Sequence, residues 1–99
     1  MVKIVDGFRE DEETRKRGNS IAELIISIFG PDRISHPFYN EDSIIILGED
    51  RSSRAARVNC WLRVILVNEE KYYPDCLRLA EESEKALGEE FTLRTQYQR

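Results

Sequence analysis

Arg57-Val58-Asn59-Cys60-Trp61-Leu62-Arg63-Val64-Ile65-Leu66-Val67-Asn68 is the stretch on which the architecture turns. Val58, Cys60, Leu62, Val64 and Leu66 make one apolar face, while Asn59, Trp61, Arg63, Ile65 and Val67 make a mixed one. Period-two alternation of this length predicts a single long strand in the middle of a sheet. At about 3.3 Å per residue, roughly 11 such residues run about 36 Å. A domain with a radius of gyration near 13 Å is only about 33 Å across, so the strand would span it or project from it.

On either side the chain supplies the rest of a sheet and its cover. Ile44-Ile45-Ile46-Leu47, within residues 43–48, reads as a strand that is apolar on both faces. Phe91, Leu93, Thr95 and Tyr97 alternate with Thr92, Arg94, Gln96 and Gln98, a last strand with one face in the core and one in water. Ser20-Ile21-Ala22-Glu23 is a capping box, predicting a helix that starts there and stops at Gly30-Pro31. Ahead of it Asp11/Arg15, Glu12/Lys16 and Glu13/Arg17 pair acid before base four residues apart. They suggest a solvated helical turn that Gly18-Asn19 separates from the capped helix. Pro74 and Asp75 open a second helix that Gly88 ends, with Cys76, Leu77, Ala80, Ser83 and Leu87 facing inward. Residues 2–5 could form a short edge strand in front, and residues 30–42 form a long aperiodic connection. The expected fold is one α+β domain over residues 1–99, since 99 residues leave no room for a second. It should have a small, mostly antiparallel sheet and two main helices, in the order (β)-α-β-β-α-β.

Two helices cover one sheet face. Read as one strand, residues 57–68 would leave Trp61, Ile65, Val67 and either Ile45 or Leu47 as an apolar patch on the other. Burying such side chains at about 1.5 to 3 kcal/mol each would drive association. The expectation is an intimate homodimer with Ile45, Leu47, Trp61, Ile65 and Val67 at its interface, either stacked back to back or with strands shared or exchanged through residues 30–42.

Charged residues make up 34% of the chain, and 19 acids against 15 bases give a net charge of −4. That field repels a phosphate backbone, which disfavours nucleic acid as a partner. No apolar run approaches the length of a membrane span, and residues 1–7 meet charge too early for a signal peptide, so a cytoplasmic protein is expected. With Cys60 and Cys76 as the two cysteines and His36 the one histidine, no metal site or cofactor is expected, and both thiols suit a reduced core, with a bridge between them as the alternative.

Arg51-Ser52-Ser53-Arg54-Ala55-Ala56-Arg57 is the densest basic stretch. Its candidate anion-binding residues are Arg51, Ser52, Ser53, Arg54 and Arg57, because guanidinium groups donate bidentately and hydroxyls add neutral donors. Pro31-Asp32 followed by Glu69-Glu70-Lys71 has the letters of a PD-(D/E)xK metal-nuclease signature. Here, however, the Asp follows a helix stop, and the net charge opposes DNA. His36 as a base and Cys76 as a helix-start nucleophile are weaker candidates than polar surface and core packing. The leading expectation is a non-enzymatic homodimeric interaction or scaffold protein that meets a basic protein partner through its acidic surface. The alternative is a small anion- or nucleotide-binding protein, or an enzyme, using the Arg51/Arg54/Arg57 loop.

The Glu- and Arg-rich composition and the overall run of the sequence resemble small proteins of hyperthermophilic archaea. The resemblance rests on no functional motif and implies no activity or site.

Overall fold

A computed structural model describes residues 12–35 and 43–97. In chain order these form α1 (Glu12–Phe29), β1 (Ser43–Leu47), β2 (Arg54–Asn59), β3 (Val64–Val67), a short 3-10 turn (Glu70–Tyr72), α2 (Tyr73–Leu87) and β4 (Thr92–Thr95). The fold is α+β, with two helices and one four-stranded sheet in the order β1-β2-β3-β4. β1, β2 and β3 are successively antiparallel, whereas β4 returns beside β3 in parallel after the α2 crossover. The expected front strand at residues 2–5 lies outside the described residues.

The single strand expected over residues 57–68 is two strands. Asn59 ends β2 by folding its side chain back, so that its Oδ1 accepts hydrogen bonds from the amides of Trp61 (3.1 Å) and Leu62 (2.8 Å). The Arg63 amide donates to the Asn59 carbonyl at 2.9 Å, and Arg63 takes a left-handed φ of 61°. This side-chain-capped turn, a habit of Asn, reverses the chain where an unbroken apolar run disguised it. With β2 at 6 residues and β3 at 4, the length argument for a second copy falls away.

Helix α1 also differs from expectation. It runs through Gly18-Asn19 without a break, and Ser20 lies inside it rather than at its start. A glycine inside a helix costs about 1 kcal/mol. Here the first turns are tied down by Arg17, which pairs with Glu13 at 3.6 Å and makes a two-pronged contact with Glu89 beyond α2. α2 begins and ends as expected, with Pro74 in its first turn and Gly88 capping it at φ 71°. Its buried stripe is Cys76, Leu79, Ala80 and Ser83, so Leu79 replaces the expected Leu77, which is exposed. Helical spacing explains the exchange: 76, 79, 80 and 83 share one face and 77 lies about 100° away.

Register assigns the strand residues to two faces, apart from Ala55 at the bulge in β2. The cross-sheet rows Ile44–Val58–Ile65–Leu93 and Ile46–Ala56–Val67–Thr95 point toward the helices. There Ile44, Ile46, Val58, Ile65 and Val67 are fully buried against Ile21 and Ile25 of α1 and Cys76 and Leu79 of α2. The helices run together, α1 against β1 and α2 against β3 and β4, so both lie on this one side.

Candidate functional site: the open face of the sheet

The other face carries the rows Ser43–Asn59–Val64–Thr92 and Ile45–Arg57–Leu66–Arg94, followed beyond a bulge by Leu47–Arg54. Ile45, Leu47, Asn59, Val64 and Leu66 are half-buried, while Arg54, Arg57, Thr92 and Arg94 are exposed. The hairpin turn lifts Leu62, 64% exposed, to the rim. Arg57, Asn59, Leu62, Val64, Leu66 and Arg94 line a shallow depression of about 340 Å³.

The charge on the strands of this face has one sign, with Glu89 and Glu90 standing beside its Leu62–Thr92 edge. The strand sequences SIIIL, RAARVN, VILV and TLRT contain three arginines and no acid. Arg57 and Arg94 pair with Leu66 from opposite sides, which sets their Cα atoms about 10 Å apart across β3. Among the described residues neither has an ion-pair partner. An acidic chain therefore presents a basic, apolar-centred face.

The expected Arg51-Ser52-Ser53-Arg54-Arg57 constellation is divided by the fold. Its loop already holds an anion, because Asp50 Oδ1 accepts from the amides of Ser52 (2.9 Å) and Ser53 (3.1 Å) and from Ser53 Oγ (3.1 Å). Those bonds hold the Asp50 carboxyl far below the usual carboxylate range. Arg51 turns away at φ 62° and pairs with Asp32 at 3.2 Å. Arg54 and Arg57 stand on β2 instead, and the third guanidinium comes from Arg94. The alternation at the C-terminus placed Arg94 outward, but only the parallel pairing of β4 with β3 sets it beside Leu66.

The expected interface residues separate in the same way. Ile65 and Val67 belong to the chain's own core and offer nothing to a partner, while Ile45 and Leu47 lie on the open face. Trp61 sits in the hairpin turn, half-buried, with the Arg17 guanidinium 5.5 Å from its ring centroid. Arg17 is almost wholly buried, and its tie to Glu89 holds that carboxyl below its ordinary pKa and raises its own.

The remaining candidates resolve into packing. Cys60 and Cys76 are buried and not joined in a disulfide; desolvation pushes the Cys76 thiol up to about 12, with Asp75 adding to it, the reverse of a nucleophile's needs. Asp32 is engaged by Arg51, and Lys71 by Glu49 at 3.4 Å. Among the described residues no group of three or more His, Cys, Asp or Glu could hold a metal ion. His36 lies outside the described residues. No described helix is long and apolar enough to cross a membrane. Compared with known proteins, the chain matches no family model, no curated protein and no solved structure.

Proposed function

We propose that this protein is a non-enzymatic interaction module that docks a partner protein on the open face of its sheet. One observation carries the reading: β1 and β3 are apolar on both faces, the pattern of strands buried on both sides, yet the described helices cover only one. Arg57, Asn59, Leu62, Val64, Leu66 and Arg94 supply donors and apolar surface. The reading keeps the interaction class expected from composition and moves the contact from the acidic surface to the strands. A two-fold stack of these strands on a second copy would set arginine against arginine with no acid on the strands themselves to offset the repulsion. A different partner fits better.

Selection from a random peptide display library on the intact protein tests this. Binders lost on Leu66→Glu but retained by Glu81→Ala, on the exposed side of α2, are the expected result. Recovery only of binders indifferent to Leu66→Glu would remove the open face from the function.

A further inference from the structure

We infer that the docking partner is an amphipathic α-helix whose apolar stripe is flanked on both sides by Asp or Glu. The inference rests on the open-face reading and specifies what fills it. The first ground is topological. β3 and β4 form a parallel pair joined through α2, and parallel strands are normally buried between helices on both faces. Here α2 covers one face of that pair, and Val64 and Leu66 stand half-buried on the other. The layer that completes such a sheet is a helix.

The second ground is geometric. Leu66, Val64 and the rim residue Leu62 form an apolar line along β3, which a helix stripe at i, i+3/i+4 and i+7 covers when its axis follows the strand. Arg57 on β2 and Arg94 on β4 stand on either side of that line, about 10 Å apart at their Cα atoms, close to the width of a helix. A helix seated on Leu66 therefore meets a guanidinium along each flank. Arg54 adds a third positive charge beyond the bulge.

Charge complementarity selects acidic flanks. No strand carries an acid, and Arg57 and Arg94 have no ion-pair partner among the described residues. Nucleic acid would also meet the arginines, but the described part of this face has no aromatic side chain on which a base could stack, and the chain carries a net charge of −4.

The test uses the full chain and fluorescein-labelled probes followed by anisotropy: an 18-residue helical peptide with a leucine stripe and Glu on both flanks, the same peptide with Lys flanks, and an oligothymidylate. The Glu peptide should bind at least tenfold more tightly than the Lys peptide and weaken as salt rises. The double variant Arg57→Glu/Arg94→Glu should reverse that preference while keeping its circular dichroism spectrum. Equal binding of both peptides, lost on Leu66→Glu, would overturn the acidic helix but leave the docking face standing. No peptide binding, together with an empty display selection, would overturn both. Oligothymidylate binding lost in the double variant, or a dimer by ultracentrifugation dissolved by Leu66→Glu, would replace the helix with nucleic acid or a second copy.

Discussion

Ile65 and Leu66 are neighbours on one strand, yet they face different worlds. Ile65 is 0% exposed beneath α2, in a row of aliphatic side chains that touch both helices. Leu66 stands between two arginines on a face that neither described helix covers. Hydrophobicity alone does not distinguish them. The helix-facing rows hold almost nothing but aliphatic groups, so burial there stabilises the fold. The open rows mix aliphatic and cationic groups, a composition that does little for the fold and suits an interface, where arginine is enriched.

Ile65→Ala is the most damaging change in this comparison, because it opens a cavity in a closed core. It should lower stability by about 3 kcal/mol in urea unfolding, whereas Leu66→Ala should cost about 1 kcal/mol or less and instead weaken binding of the Glu-flanked peptide. Similar losses at the two positions would erase the distinction between the faces.

Arg17→Met comes next. It leaves Glu89, whose side chain is 33% exposed, to hydrate alone, so the loss should be near 2 kcal/mol, below that for breaking a fully buried pair. The pair also sets a pH response. Glu89 has its pKa lowered in the fold from about 4.5, so its contribution is complete above that value and disappears as pH falls through the lower folded pKa. Arg17 stays charged throughout. The wild type should therefore lose more stability than Glu89→Gln between about pH 5 and pH 3, measured as the shift in urea midpoint.

Asn59→Ala tests the turn that sets Leu62 at the rim. Removing the acceptor for two amides should cost about 1 kcal/mol, with exchange-broadened NMR signals in the hairpin as its local signature. The smallest effect on stability belongs to Arg57→Ala and Arg94→Ala, each within about 0.5 kcal/mol of wild type because both side chains are exposed and have no ion-pair partner among the described residues. Their effect should appear in peptide affinity alone.

Much of the fold was legible in local pattern. Pro74 and Gly88 marked α2, the apolar run at residues 44–47 marked β1, and the alternation from Phe91 to Tyr97 marked β4 and the outward aim of Arg94. The hairpin escaped notice because Cys60, Trp61 and Leu62 continue the apolar run through the turn, leaving Asn59 as its one local sign. The continuity of α1 through Gly18-Asn19 escaped because Arg17, which ties down its first turns, anchors to Glu89, a residue 72 positions away. The arginine site was half visible: Arg54 and Arg57 were legible as a basic stretch, but nothing local joined Arg94 to them.

What the chain dictates by itself is the chemistry of each short segment: which residues alternate, where a helix can stop, which strands are apolar on both sides. Those properties depend on neighbours a few positions apart. Which apolar face receives the helices, and that β4 returns in parallel to set Arg94 across Leu66 from Arg57, were decided only on folding. Pairing between distant segments is governed by packing and closure of the whole chain, and no local period records it.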